Sequence, residues 1–114
     1  MALADRKCEP CRGGVDPMTP EQAEAVLTNL EPEWGINEQG HLERSFPFSD
    51  FKAAMAFANR VGELAEQEGH HPLLHVTWGR CAVEFWTHEI GGLHDADFIM
   101  AAKTDRLTRK VDQP

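Results

Sequence analysis

Apolar residues recur at helical spacing in three segments of the chain. The first segment follows Pro17 and carries a short stripe: Ala23, Val26, Leu27 and Leu30. The second is the longest, and its stripe consists of Phe51, Ala54, Met55, Ala58, Val61 and Ala65, widened by Phe57 and Leu64. The third has Phe98, Ile99, Ala102 and Leu107. Because apolar positions three and four residues apart share one face of an α-helix, the pattern predicts three amphipathic helices.

Capping residues indicate where these helices begin and end. Thr19 is predicted to be the N-cap of the first helix, with Pro20 at its first helical position and Gln22 completing a capping box. Ser49 is predicted to cap the second helix. Gly69 is predicted to end that helix, because glycine adopts the left-handed conformation of a C-cap without steric cost.

Two runs rich in β-branched and aromatic residues, 73–78 and 81–87, predict a β-hairpin. Gly79-Arg80 lies between them and fits a two-residue turn of type II′, or of type I′ if Arg80 tolerates the strain. A shorter hairpin is predicted within residues 34–46. His41 follows its turn and, with no evident partner, is expected to be solvated.

The predicted register of the second hairpin brings histidines together. It pairs His75 with Glu84 on one face, and beyond the strand ends it places His71 opposite His88. Directly opposed residues of paired strands have Cβ atoms about 4.5–5.5 Å apart. The prediction is therefore one small site that contains His71 and His88, with His70 at its edge.

The order of these elements, α-β-β-α-β-β-α, predicts an α+β fold. We expect two layers, a four-stranded antiparallel sheet with three helices on one face. Residues 1–18 are poor in apolar side chains and hold several glycines and prolines, which predicts an extended N-terminal tail. Residues 19–114 are then expected to form a single domain.

Composition excludes several classes of protein. The chain has 114 residues and a formal net charge of −8, which argues against direct binding of nucleic acid because phosphates require a basic surface. No apolar run approaches the roughly 20 residues needed to cross a bilayer. The first residues lack the apolar core of a signal peptide. We therefore expect a cytoplasmic protein without membrane or nucleic-acid partners.

The chain contains three cysteines, Cys8, Cys11 and Cys81. An odd number in a cytoplasmic chain does not suggest a disulfide framework. Cys81 is expected to be a small core residue of the hairpin. Cys8 and Cys11 form a single CxxC, which could be half of a zinc site, a redox pair or two thiols of a tail, and the tail is the favoured interpretation.

Four of the six histidines fall between His70 and His88, and three interpretations of this cluster are open. The histidines could be polar residues at strand ends with no chemical role. They could bind zinc together with Glu66 or Glu89. They could also transfer protons, since histidine titrates closest to neutral pH. Residue chemistry alone does not choose between these three.

The motif around these histidines resembles that of the pterin-4a-carbinolamine dehydratase family. It comprises Glu66-xxx-His70-His71-Pro72, an aromatic-bearing strand, Thr87-His88-Glu89, Gly92-Leu93 and Asp97. The resemblance covers roughly residues 19–110, and the combined spacings make it specific, whereas a lone His-His-Pro would not be. At position 94, where the family usually has Ser or Thr as a helix cap, this chain has His94.

The resemblance implies a lyase that dehydrates 4a-hydroxytetrahydropterin to quinonoid dihydropterin and so recycles the cofactor of an aromatic amino acid hydroxylase. It implies an acid–base pair, His70 and His88, with no metal and no other cofactor. His71 would bind and orient the pterin, and Glu66 would support the catalytic histidines. Further pterin-binding residues would be Trp86, Thr87 and Glu89, and the structural residues would be Pro72, Gly92 and Asp97.

The resemblance also implies an alternative, because some members of the family serve as non-catalytic dimerisation or assembly partners of other proteins. A complete set of histidines favours catalysis. In either case we expect a homodimer or homotetramer, because the predicted hairpin face with Leu73 and Trp86 is too apolar for a solvated strand pair.

Overall fold

Three helices and four strands follow one another in the predicted order in the computed structural model, which describes residues 3–6 and 16–108. They are α1 (Pro20–Leu27), β1 (Gly35–Ile36), β2 (Leu42–Pro47), α2 (Phe51–Glu68), β3 (Leu73–Thr77), β4 (Arg80–Phe85) and α3 (Asp95–Leu107). The strands form one antiparallel sheet in the order β1-β2-β4-β3. The predicted α+β class and topology are confirmed.

The helices cover one face of the sheet and leave the other open. Alternate residues of β2 and β4, such as Leu42 and Phe85, are fully buried and share one apolar cluster with residues of α1, α2 and α3. The intervening residues, among them Glu43 and Glu84, project from the opposite side because successive strand residues point to opposite faces. We call that side the open face.

The ends of α1 and α2 follow the capping signals with one exception. Thr19 and Gln22 form the predicted capping box, and Gly69 ends α2 with a φ of 69°. The N-cap of α2, however, is Asp50 and not Ser49, because the Asp50 carboxylate accepts the backbone N–H of Ala53 at 2.8 Å. A carboxylate at this position also complements the helix dipole, which a hydroxyl does not.

The apolar stripe of α2 is narrower than predicted. Ala54, Phe57 and Val61 are fully buried in the core, whereas Phe51 and Met55 are exposed. The centre of the buried face therefore runs through Ala54 and Val61, and Phe51 and Met55 lie on one flank of it.

The turn between β3 and β4 lies one residue earlier than predicted. Thr77 pairs with Arg80, which leaves Trp78 and Gly79 as the two turn residues. Gly79 has a φ of 77°, while Trp78, at 73 % exposure, does not have a positive φ. A positive φ at only the second turn position is the pattern of a type II turn rather than type II′.

This shift changes which residues are paired across the hairpin, but each side chain stays on the predicted face of the sheet. The register moves by two positions, so His75 lies opposite Ala82, and the ladder ends at the pair Leu73–Glu84. His71 and His88 both lie outside the ladder, and the predicted cross-strand pair of these two histidines is wrong.

Part of the predicted N-terminal tail packs on the domain. Leu3–Asp5 form one turn of 3-10 helix instead of an extended segment, and Lys103 and Arg106 of α3 bond to it, the first to the Ala4 carbonyl and the second to Asp5. Cys8 and Cys11 lie outside the described residues. None of the helices within the described ranges is long and apolar enough to span a membrane.

Cys81 is the buried core residue that the hairpin pattern predicts. It is fully buried in the cluster between sheet and helices. Burial raises the pKa of its thiol to about 11, against the opposing charge of Arg80. Since the thiolate is the reactive form, Cys81 has a packing role and is not a nucleophile.

Candidate active site

Asp97 is a fully buried carboxylate at the start of α3 and joins three parts of the chain. Its Oδ2 accepts the Thr87 hydroxyl at 2.8 Å and the backbone N–H of His94 at 2.9 Å. Its Oδ1 lies 2.6 Å from Nε2 of His70. A carboxylate only accepts hydrogen bonds, and here its two oxygens face three donors. We call His70, Thr87 and Asp97 the aspartate network.

The end of α2 delivers His70 to this carboxylate. Gly69 turns the chain in the left-handed conformation, and the backbone N–H of His70 still bonds to the Ala65 carbonyl at 3.3 Å. The imidazole lies nearly parallel to the ring of Phe85, with centroids 6.3 Å apart, and its side chain is 12 % exposed. The ring is thus fixed by a carboxylate on one nitrogen and by packing on one face.

Thr87 is held in place by a closed loop. Its backbone N–H bonds to the Gly92 carbonyl at 2.8 Å, across a 3-10 turn at His88–Ile90. A Cβ on Gly92 would lie 2.6 Å from Cβ of Pro17, so only glycine allows Pro17 to approach this closely. The structural role predicted for Gly92 has this physical basis. Thr87 is completely buried, and its hydroxyl is directed at Asp97.

Three aromatic side chains stack face to face beside the aspartate network. The ring of His41 is parallel to that of Trp86, with centroids 3.9 Å apart and an interplanar angle of 5°. Trp86 also stacks on His88, at 4.3 Å and 25°. The two imidazoles must lie on opposite faces of the indole, because two rings this close to its centroid would overlap on the same face. We call these three residues the ring stack. Because both faces of the indole are covered, a flat ligand can reach only its edge.

A polar cluster on the open face supports the ring stack. Glu84 accepts from His41 Nδ1 at 2.6 Å, from His75 Nε2 at 2.9 Å and from the side-chain amide of Asn37 at 3.0 Å. The same amide reaches Glu43, at 2.9 Å, which lies directly opposite Glu84 in the sheet. Burial raises the pKa of Glu84, but these hydrogen bonds and the charge of His41 outweigh it, so that the pKa falls below its usual value.

Two of the sequence expectations concern this cluster. The prediction that His41 is solvated is wrong, because Glu84 and Trp86 leave only 17 % of its side chain exposed. His75 does share a face with Glu84 as predicted, and it contacts that residue diagonally, since Ala82 lies opposite.

Three further predicted site residues, Glu66, His71 and Glu89, lie on the surface. Nε2 of His71 is 2.5 Å from Oε2 of Glu66, and both side chains are more than half exposed. Glu89 is exposed in the 3-10 turn that follows Thr87. Glu66 thus contacts His71 and not His70, whose carboxylate partner is Asp97.

The chain connections place the predicted acid–base residues in one neighbourhood. His70 reaches Thr87 through the two oxygens of Asp97. His88 follows Thr87 directly, and His71 follows His70, so their Cα atoms are only about 3.8 Å from those of the network residues. The network thus contains one shielded imidazole, and the two residues that follow its members in the chain carry exposed ones, groups that can transfer protons.

A second group of side chains has the donor atoms for a metal ion. Ligand atoms of Glu43, His75 and Glu84 lie within 4.8 Å of one another. A histidine and two carboxylates are donors that zinc accepts. In this structure, however, the carboxylates already accept the hydrogen bonds of Asn37, His41 and His75. Of the residues that the zinc interpretation of the sequence named, the group contains His75 but neither Glu66 nor Glu89.

The residues that sequence reasoning missed are His41, Asn37 and Glu43. The signal that could have found them is the pairing of β2 with β4, which places Glu43 directly opposite Glu84. Like charges directly opposite destabilise a sheet, so the pair requires donors from nearby side chains.

A family model described as pterin 4 alpha carbinolamine dehydratase matches residues 16–107. Among curated relatives, a protein of Rickettsia bellii is 50 % identical over 93 % of this chain and 94 % of its own length. A protein of Methylococcus capsulatus is 50 % identical over 96 % of both chains. The names of both assign them provisionally as pterin-4-alpha-carbinolamine dehydratases.

A solved structure supports the same relationship. The crystal structure of a transcriptional coactivator/pterin dehydratase from Brucella melitensis matches with a TM-score of 0.73 and 28 % identity. The match covers 81 % of this chain and 98 % of that one. By its sequence over nearly the whole length, and by its fold, the chain belongs to the pterin 4 alpha carbinolamine dehydratase family.

Proposed function

We propose that the chain catalyses the dehydration of 4a-hydroxytetrahydropterin to quinonoid dihydropterin by histidine acid–base catalysis. The observation that carries the proposal is the 2.6 Å contact between His70 and the buried carboxylate of Asp97. A histidine held by a carboxylate has a fixed tautomer and orientation, which positions its second ring nitrogen for proton transfer.

The reaction consists of one bond cleavage and two proton transfers. The bond between C4a and the hydroxyl oxygen breaks, and the hydroxyl leaves as water once it has received a proton. A proton is lost from the pterin ring, whose nitrogens share the developing charge. No electrons are exchanged with a redox partner, so two positioned imidazoles, one as acid and one as base, suffice in principle.

The contacts suggest how the residues share this work. His70, held by Asp97, and the exposed His88 are proposed as the acid–base pair. His71 is exposed beside Glu66 and is proposed to bind the pterin. Thr87 acts through Asp97, because its buried hydroxyl is directed at that carboxylate. Asp97 is then a positioning residue as well as a structural one.

A stopped-flow assay with freshly generated pterin carbinolamine tests the proposal. The protein is expected to accelerate the loss of the carbinolamine absorbance in proportion to its concentration, because positioned acids and bases contribute about 10²–10⁴-fold. Treatment with EDTA is expected to leave the rate unchanged. A rate equal to the spontaneous reaction at micromolar protein would rule out the proposed activity.

The alternative is a non-catalytic role as an assembly partner, and exposed apolar side chains favour at least self-association. Phe51 and Met55 on α2, Leu73 at the sheet edge and Trp78 in the turn are large and exposed. Such surfaces often mark protein contacts.

We therefore expect a homodimer or homotetramer in solution. Multi-angle light scattering should return a mass two or four times that of the 12.8 kDa chain, because burying these residues removes apolar area from water. Met55→Gln and Leu73→Gln variants should shift the distribution towards smaller species if those faces form the contacts. A monomer at micromolar concentration would contradict the expectation.

A further inference from the structure

We infer that His41 is a positioning residue for the proposed reaction: by covering one face of Trp86, it keeps the other face of the indole in place for His88. The inference rests on the proposed function, in which His88 transfers a proton. His41 is distant from His88 in the sequence, because it lies in the turn before β2 whereas His88 follows β4.

The geometry of the ring stack is that of a support and not of incidental contact. His41 and Trp86 are parallel within 5° at 3.9 Å, and Trp86 and His88 are within 25° at 4.3 Å. Stacked aromatic rings at such separations attract one another beyond the effect of the area that they bury.

His88 needs such a support because little else holds it. It lies in the exposed 3-10 turn after Thr87. Within residues 3–6 and 16–108 its ring has the Trp86 contact but no side-chain hydrogen bond. An exposed side chain that is free to change rotamer spends only part of its time in the geometry for proton transfer. The indole face restricts that freedom.

Trp86 in turn depends on His41. It follows the last residue of β4, Phe85, and is therefore beyond the strand pairs of the ladder. Its side chain is partly buried and contacts an imidazole on each face. Without His41, one face of the indole would lose its neighbour and the ring could tilt away from His88.

His41 is itself anchored on the central strands. Its Nδ1 lies 2.6 Å from Glu84, a buried residue of β4, and its backbone N–H bonds to the side-chain oxygen of Asn37 at 3.0 Å. A charge-assisted hydrogen bond of this length restrains the ring more strongly than a neutral one. The rigid sheet thus holds His41, His41 supports Trp86, and Trp86 orients His88.

Two substitutions of His41 separate the stacked ring from its hydrogen bond. His41→Phe keeps a flat ring against Trp86 but cannot bond to Glu84, while His41→Asn keeps a short polar side chain and removes the ring. His75→Asn is the matched control, because it removes the other imidazole bonded to Glu84 without touching the stack.

The readouts are stopped-flow kcat and KM, together with the chemical shifts of the His88 ring protons. His41→Asn should lower kcat about 10-fold with little change in KM, because misorientation of His88 affects the chemical step more than binding. The His88 ring protons should move downfield as the indole ring current is lost. His41→Phe should retain most of the wild-type kcat and most of the wild-type chemical shifts of His88. His75→Asn should change neither quantity.

Unchanged His88 shifts and unchanged kcat in His41→Asn would overturn the inference. Equal loss of kcat in His41→Phe and His41→Asn with unchanged His88 shifts would also overturn it, because that result indicates a general structural role. If the unmodified protein has no dehydratase activity, the proposed function fails. The support of the His88 ring by His41 is then decided by the chemical shifts alone.

Discussion

Replacing both His70 and His88 with alanine is expected to lower kcat/KM for a pterin carbinolamine by about 10²-fold or more. Both imidazoles are linked to the buried Asp97–Thr87 hydrogen bond: His70 bonds to the carboxylate, and His88 is next to the threonine in the chain. In the proposed mechanism, neither the leaving hydroxyl nor the ring proton would then have a positioned partner. Spontaneous dehydration sets the lower limit of the measured rate.

Two single variants and a control substitution at a third histidine test whether the loss of activity is specific to His70 and His88. His70→Ala and His88→Ala should each lose a large part of the activity, and the double variant should lose less than their product, because residues that act as a unit are not additive. His94→Ser is the control: it removes an imidazole near the site and supplies a good helix N-cap. Wild-type kcat/KM in the double variant would show that these histidines are not the catalysts.

The third histidine of the motif should respond differently. His71 is mostly exposed and bonds only to the exposed Glu66 among the described residues. If it binds the pterin, His71→Ala should raise KM more than it lowers kcat, because a uniform binding contact is lost. A fall in kcat as large as that of His70→Ala would place His71 among the proton-transfer residues instead.

The fold could be predicted from sequence because its signals are local and agree with one another. The helix stripes, the capping box at Thr19 and the C-cap at Gly69 each specify a boundary without reference to distant residues. Local signals did not determine the rotation of α2 about its own axis, and therefore did not determine which residues at the edge of its apolar stripe are buried. Phe51 and Met55 are exposed because they lie on one flank of the buried face, whose centre runs through Ala54 and Val61.

The hairpin register shows that the alternation of apolar and polar residues specifies the face of each side chain but not its cross-strand partner. A shift of one residue would exchange the two faces, whereas the observed shift of two preserves them. The pattern therefore predicted that His75 shares a face with Glu84 but not which residue lies opposite it. The choice depended on whether the left-handed Gly79 occupies the first or second turn position.

The candidate site was only partly predictable because its contacts join distant segments. His41 meets Glu84 and Trp86 because β2 pairs with β4, although the two strands are separated in the sequence by α2 and β3. His70 and Asp97 are brought together by the packing of the α2 end against the α3 start. Motif spacing identified both residues, but it assigned Glu66 and not Asp97 as the carboxylate support of the histidines.

Removing the buried carboxylate is expected to have the largest effect on stability. Asp97→Ala leaves the Thr87 hydroxyl, the His94 N–H and Nε2 of His70 without their common acceptor. Breaking a buried charged interaction by removing one partner costs about 3–5 kcal/mol. The urea midpoint should fall accordingly at an unchanged m-value, measured by tryptophan fluorescence at constant protein concentration.

A conservative variant separates the stability of the network from its chemistry. In Asp97→Asn the amide oxygen can still accept from Thr87 and His94, but the NH₂ group faces His70. Nε2 must then accept a hydrogen bond, which transfers the ring proton to Nδ1. We expect most of the stability lost in Asp97→Ala to return while kcat stays low, because His70 is held in the wrong tautomer.

The control for both variants is Asp95→Ala, in the same first turn of α3. Asp95 is about half exposed and its carboxylate lies 3.8 Å from Arg6, so its loss should change the free energy of unfolding by less than about 0.5 kcal/mol. A large effect of Asp95→Ala would mean that negative charge at the helix start stabilises α3, independently of the aspartate network. Wild-type kcat in Asp97→Asn would show that Asp97 only holds the fold together and does not set the proton position on His70.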